Sequence, residues 1–217
     1  MPGTLIVRQL GRVPYEPTWR AMDRFTAERN AATPDEVWLL EHPPVFTLGR
    51  AARREHVVAP GDIPVVAVDR GGQVTYHGPG QLVMYPLIDL RRVGLGVRGF
   101  VAALEAVVIE ALAARGVMAE VVPGAPGVYV RGRKVAALGL RVRRGATFHG
   151  LALNVDGDLD PFSRIDPCGY RGLEVTCTRD EGVVEDMHSL GADLVERLAA
   201  RLGHSEQVAA AATREPG

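Results

Sequence analysis

Short apolar-rich runs recur through the middle of the chain between clusters of Gly, Pro and Asp. They read as strands at Glu36 to Glu41, Pro64 to Val68, Gln81 to Ile88, Val128 to Val130, Lys134 to Val142 and Thr147 to Asn154. Thr4 to Gln9 precedes them as a further strand. Three segments instead follow the helical period. Tyr15 to Asn30 sets Arg20, Asp23, Arg24 and Glu28 among Trp19, Met22 and Phe25. Val101 to Arg115 gathers Val101, Leu104, Val107, Val108, Ala111 and Leu112 on one face, so it is expected to lie against the sheet. Met187 to Leu202 carries a stripe of Leu190, Leu194, Val195, Leu198 and Leu202, with Arg197 and Arg201 suited to the negative end of the helix dipole. The alanine-rich, polar tail from Ser205 to Gly217 has nothing to pin it and is expected to fray. This pattern predicts an α/β (α+β) fold: one domain over residues 1–204, with a mixed sheet flanked by helices. Strand order is not legible in it.

Composition narrows the picture. With 217 residues, 47% of them hydrophobic, the chain can bury one sizeable core. Its 25 basic and 26 acidic side chains leave a net charge of −1, which gives no electrostatic reason for nucleic acid as the main partner. The longest apolar region, Phe100 to Ala114, is interrupted by Glu105 and Glu110 and is shorter than the ~20 apolar residues a bilayer requires, so no membrane association is expected. Met1 to Arg8 lacks the features of a secretory signal. Two cysteines, Cys168 and Cys177, are too few for a disulfide scaffold and lack zinc-site spacing; a reducing cytoplasm fits them.

The candidate chemistry lies in a few segments. Gly94, Gly96 and Gly99 match a dinucleotide-binding spacing, but five residues separate them from the end of the preceding strand, so the match reads as an ordinary loop and helix start. Arg70, Gly71, Gly72, Gln73, Val74, Thr75, Tyr76 and His77 run into a second tight turn at Gly78, Pro79 and Gly80. Two glycine pairs flanking Arg, Gln, Thr, Tyr and His suit a binding segment better than the polar tip of a hairpin. Lys134 is the only lysine among the 25 basic side chains. Unlike arginine it can shift its pKa and act as an acid or base. Cys168 sits in a Pro-Cys-Gly loop, where a thiolate is useful if a cation stands close by: lowering a thiol pKa by ~1.5 takes ~2 kcal/mol. Cys177 lies in an alternating strand pattern and reads as packing. His149 and His42 each either line a pocket or hydrogen-bond in the core.

Arg70 to Gln81, Gly132 to Arg141 with Gly145 to Asn154, and Pro167 to Tyr170, in this order, resemble the lipoyl(octanoyl) transferase family. The resemblance implies an α/β fold shared with biotin and lipoate protein ligases. It also implies transfer of an octanoyl or lipoyl group from acyl carrier protein, through a cysteine thioester, to a lysine of the lipoyl domains of 2-oxoacid dehydrogenases or of the glycine cleavage H protein. Neither metal nor nucleotide cofactor is implied. Residue by residue, the resemblance places the thioester cysteine on Cys168 and its lysine partner on Lys134. Substrate contacts fall on Arg70, Gly71, Gly72, Gln73, Val74, Thr75, Tyr76 and His77, on Ala137, Leu138 and Gly139, and on Gly150, Leu151 and Ala152. Small residues along these last segments suit an apolar acyl slot. Arg141, Arg143 and Arg144, or Arg91, Arg92 and Arg98, suit docking of an acidic carrier. The rival readings are an ATP-dependent lipoate or biotin ligase, a cysteine hydrolase using Cys168 with His77 or His149, and a non-catalytic carrier-binding module.

Overall fold

A computed structural model of the protein describes residues 3–166 and 174–208. In chain order these form β1 (Gly3–Arg12), α1 (Tyr15–Glu28), β2 (Asp35–Glu41), β3 (Val45–Leu48), β4 (Val65–Ala67), β5 (Val74–His77), β6 (Gln81–Leu87), α2 (Val97–Ala113), β7 (Glu120–Val122), β8 (Ala125–Val130), β9 (Arg133–Arg143), β10 (Ala146–Asn154), α3 (Met187–Leu202) and β11 (His204–Val208). Eight strands make one mixed sheet in the order β11-β1-β2-β6-β10-β9-β8-β7, and a smaller sheet follows the order β4-β3-β5. β1 runs parallel to both of its neighbours, whereas the strands from β2 to β7 in the large sheet pair antiparallel.

The central strands β2, β6 and β10 are covered on both faces, which is why they read as nearly continuous apolar runs. On one face α2 and α3 bring Leu104, Val107, Val108, Leu112, Leu190, Leu194 and Leu198 against Val37, Leu39, Leu82, Met84, Leu151 and Leu153. On the other, α1 packs Met22 against Trp38, Leu40, Val83, Leu87 and Phe148. The stripe expected on α3 is buried as a whole. On α2 the helix starts four residues earlier than expected, and Phe100, one turn before Leu104, takes the buried place expected of Val101 because it removes more apolar surface from water. The β8–β9 and β9–β10 hairpins turn through Arg131-Gly132 and Arg144-Gly145, with positive φ at both residues of each, as a tight two-residue hairpin loop requires.

Two features depart from the sequence pattern. The small sheet was not anticipated beyond β4: β3 and β5 pair antiparallel across more than twenty intervening residues, and neither has enough alternation to stand out between the Pro43-Pro44 and glycine-rich turns. The tail expected to fray from Ser205 begins instead as a strand, because β1 offers an open edge. Gly3 to Val7 pair in parallel with His204 to Val208, and the His204 ring reaches the buried Asp35 carboxylate at 3.2 Å. The segment Arg70 to Gln81 is not a hairpin, since β5 pairs with β3 and β6 pairs with β2 and β10. Leu87 ends β6 well before Gly94, and Gly96 caps α2. No helix among the described residues is long and apolar enough to cross a membrane.

Candidate active site

The large and small sheets enclose a cavity whose floor is the β9–β10 pair. There Ala137 stands opposite Ala152, Leu138 opposite Leu151 and Gly139 opposite Gly150. Small residues are needed along this strip. A Cβ on Gly150 would fall 2.0 Å from the Met84 carbonyl oxygen of β6, so β10 can approach β6 this closely only without a side chain. The walls come from Arg70, Gly72, Gln73, Val74, Thr75 and His77; His149 lies toward one end and Lys134 toward the other along the β9–β10 pair, and Tyr15, Tyr85, Pro126, Phe162 and Val175 complete the lining.

Lys134 starts β9 and is held by its backbone. Its N–H donates to Glu174 O at 2.9 Å, and Thr176 N–H donates to Lys134 O at 3.0 Å. Its ammonium donates to Pro126 O at 3.2 Å and lies 5.2 Å from the Tyr129 ring centre. Thr176 in turn donates through its hydroxyl to buried Glu181, which also binds Arg131 and Arg133. The chain leaving residues 167–173 is thereby tied to the strand that carries Lys134. Cys168, the expected nucleophile, lies outside the described residues.

Arg70 is buried with its guanidinium donating to Thr47 Oγ1, Thr47 O and Gly71 O. Gly71 N–H donates to Leu140 O at 2.9 Å, which docks this loop onto β9, and Gly72 has a φ of +86°. His77 Nδ1 donates to Gln81 Oε1 at 2.7 Å; Gln81 donates to Asn154 Oδ1, and Asn154 to Thr176 O. His42 Nδ1 donates to Val13 O at 2.7 Å, so its Nε2 accepts from the Tyr85 hydroxyl at 2.8 Å. His149 Nε2 donates to Asp69 at 3.1 Å, and Asp69 also accepts from Trp19 Nε1.

Burial governs the charge states here. It pushes His42 down to about 4, holds His77 well below and His149 below the ordinary histidine value, pushes Tyr15 up to about 12 and holds Tyr85 well above the ordinary phenol value. The hydrogen bond from His149 keeps the Asp69 carboxyl below its usual range. At neutral pH these imidazoles are uncharged and the phenols protonated, so this part of the cavity offers fixed dipoles and, among the described residues, the buried cation Arg70.

Of the substrate-contact residues expected from the sequence, Arg70, Gly72, Gln73, Val74, Thr75, His77, Ala137, Leu138, Gly139, Gly150, Leu151 and Ala152 line this one cavity, together with Lys134. Gly71 contributes backbone contacts behind the wall. Tyr76 points to the other side of β5, where it packs on Phe46 and Phe162 with ring centres 5.6 and 5.5 Å away. His149 lines the cavity and His42 is a buried hydrogen-bonding histidine, one of each of the two alternatives. Tyr15 and Tyr85 were not anticipated: one opens an amphipathic helix and the other sits in a continuously apolar strand, so neither stands out by pattern. Cys177 is buried, and burial raises its thiol pKa, as suits a packing residue.

Comparison with known proteins adds the following. The family described as the lipoyl protein ligase A/B catalytic domain matches residues 14–196. An octanoyltransferase of Pseudomonas fluorescens (strain Pf0-1) is 57% identical over 207 residues, covering 95% of this chain and 96% of its own. One of Thiobacillus denitrificans is 65% identical over 180 residues, 83% of each chain. Among solved structures, a putative lipoate protein ligase of T. acidophilum with bound lipoic acid superposes with a TM-score of 0.76 at 17% identity, covering 100% of this chain and 92% of that one. Biotin protein ligase of Aquifex aeolicus gives 0.53 at 14%, over 93% of this chain and 69% of that one. The last two likenesses are of fold.

Proposed function

The chain belongs to the lipoyl protein ligase A/B catalytic domain family, and from that premise we propose that its cavity holds the acyl chain of an octanoyl thioester while Cys168 and Lys134 pass the acyl group to an acceptor lysine. The protein is an acyltransferase of protein lipoylation, as its octanoyltransferase relatives at 57–65% identity support. The observation that carries the finer reading is the placement of the chain's single lysine at one end of a cavity floored by Ala137, Gly139, Gly150 and Ala152.

In the first half-reaction the Lys134 ammonium stabilises the Cys168 thiolate, which attacks the donor thioester and forms an octanoyl-enzyme thioester. The carrier's phosphopantetheine leaves as a thiol by taking a proton from the Lys134 ammonium, which leaves the Lys134 amine neutral for the next step. In the second, the acceptor amine attacks that thioester, its proton passes to Lys134, and Cys168 leaves as the thiolate. The amide product makes this step favourable. The donor is octanoyl-acyl carrier protein. The acceptors are lipoyl domains of 2-oxoacid dehydrogenases and the glycine cleavage H protein, in the cytoplasm. We take the catalytic domain, expected over residues 1–204, to run on through β11 to residue 208, since that strand pairs with β1. For carrier docking both arginine groups remain candidates, since each has members engaged within the chain: Arg91 with Asp89 and Arg92 with the carbonyls of Asn30, Ala31 and Thr33, Arg141 with Asp69 and Arg143 with Asp23.

Intact-protein mass spectrometry after mixing with octanoyl-acyl carrier protein tests the mechanism. An octanoyl adduct is expected in the native protein and in Cys177→Ala, formed slowly in Lys134→Arg and missing in Cys168→Ala. An adduct that survives loss of Cys168 sinks the covalent route. Octanoylation of an acceptor that needs ATP would favour the ligase chemistry with which this fold is shared.

A further inference from the structure

Glu105 stands on α2 in the middle of an apolar run, directly after the fully buried Leu104. An acid beside a core-facing residue needs a polar partner, and it finds one on the sheet that α2 covers. Its Oε1 accepts from the Gly127 N–H of β8 at 3.1 Å. The carbonyl of the same peptide group, Pro126 O, accepts from the Lys134 ammonium at 3.2 Å. One peptide unit thus carries a carboxylate on its N–H and the chain's single ammonium side chain on its C=O.

Gly127 is suited to this arrangement. Its φ is +138°, a conformation that favours glycine, and a Cβ there would fall 2.6 Å from Ala136 O and 3.1 Å from Lys134 Cε. The ladder is irregular at the same place. Val128 faces Ala136 but Tyr129 faces Lys134, so Val135 is passed over and β9 bulges where the lysine leaves it. Other titratable side chains approach from β8, β9 and the segment after residue 173. Arg133 and Arg131 both bind buried Glu181, Glu174 meets Lys134 through its backbone carbonyl, and the Tyr129 ring lies 5.2 Å from the ammonium. Of these acids, Glu105 is the one linked to the Lys134 ammonium through a peptide dipole.

Hydrogen bonds in a chain polarise one another, so a negative charge on the N–H of a peptide strengthens the hold of its C=O on a cation. We propose that Glu105 is a positioning residue for the transfer reaction: through the Pro126–Gly127 peptide it fixes Lys134 at its end of the cavity and favours the ammonium form. The first half-reaction starts from that ammonium. Glu105 touches neither substrate nor the reacting atoms and acts only through Lys134. The inference rests on the role given to Lys134 above.

The test is the pH dependence of octanoyl-enzyme formation in single turnovers of the full chain with octanoyl-acyl carrier protein, followed by mass spectrometry in the native enzyme, Glu105→Gln, Glu105→Leu, Glu110→Gln and Lys134→Arg. Loss of the Lys134 proton should make the native rate fall at alkaline pH, and Lys134→Arg, which keeps its proton, should lack that limb. Glutamine still offers an acceptor to the Gly127 N–H and removes only the charge. Glu105→Gln should therefore move the alkaline limb down by about 0.5 to 1 in pH, as loss of a unit charge across one peptide group does, and leave the half-saturating donor concentration within about twofold of native. Glu105→Leu should add a severalfold fall in the maximal rate, because the peptide is no longer held. Glu110→Gln, on the same helix but paired with Arg201, should leave the limb in place. An unmoved limb in Glu105→Gln overturns the proposal even if the urea midpoint falls, since the carboxylate then only holds the strand, and so does an equal shift in Glu110→Gln. A limb that survives Lys134→Arg overturns instead the proton role of Lys134, and a native enzyme that forms no adduct overturns the cysteine route; both results are distinct from failure of the Glu105 link alone.

Discussion

The two faces of the large sheet are built by different rules. The face under α2 and α3 is apolar, regular and interdigitated, with Leu39, Met84, Leu151 and Leu153 meeting Leu104, Leu190, Leu194 and Leu198. The face toward α1 and the small sheet interrupts that regularity with glycines, alanines, a buried arginine, three buried histidines and one side chain turned across the sheet by a positive φ. Both faces belong to the same strands, so the first can hold the second rigid: stability concentrates on one side of a shared backbone and chemistry on the other.

This contrast is sharpest for substitutions that should strike one face only. Lys134→Ala should lower transfer by at least about 100-fold, the range expected for a lost acid–base group, while the urea midpoint stays at the native value; stopped acyl transfer and equilibrium unfolding measured on one preparation check both halves. Leu198→Ala is the mirror image. It should lose about 2–5 kcal/mol in urea unfolding and leave kcat/KM of the folded protein unchanged, because Leu198 is fully buried among helix-side residues.

Acid should weaken the site face through its histidines. Their pKa values lie below the ordinary histidine value in the folded protein, so as pH falls below about 6.5 the unfolded chain takes up protons that the folded chain refuses. Stability is then present above that pH and is lost on the way down to about 4, where His42 itself titrates; His42 alone contributes roughly 3 kcal/mol. Urea midpoints at pH 7 and pH 4.5 measure it, and a flat profile would contradict the burial of neutral imidazoles.

Gly150→Ala tests the shared backbone. Its Cβ would overlap the Met84 carbonyl, so about 1–3 kcal/mol of stability should be lost together with a rise in KM, the one substitution here that moves both faces at once. At the small end, Asp23→Asn removes the half-exposed partner of Arg143 and should change stability by less than about 0.5 kcal/mol. A larger effect on donor KM than on stability would assign Arg143 to docking.

Much of this organisation was legible in the residue pattern, and what was legible follows from local periodicity. The stripe on α3, the strand character of Gln81 to Ile88 and Thr147 to Asn154, and the α/β class all follow from which positions are apolar at period two or 3.6. The single lysine and the glycine-flanked Arg70 segment stand out because their residue types differ from their surroundings, and most of the residues they pointed to line one cavity. Tyr15 and Tyr85 did not stand out, since an aromatic residue in a helix or buried strand looks like core until its neighbours across the fold are known.

Element types, the helix-facing core and the identity of the candidate reactive residues can therefore be read from residue order, because each is encoded over a few consecutive positions. Tertiary structure alone decided the pairing of β3 with β5, the capture of 204–208 by the open edge of β1, and the gathering of Lys134, Arg70, Tyr15 and His149 around one cavity. Those depend on contacts between distant segments, and in the case of His149 on a single backbone torsion that overrides the alternation its own strand would impose.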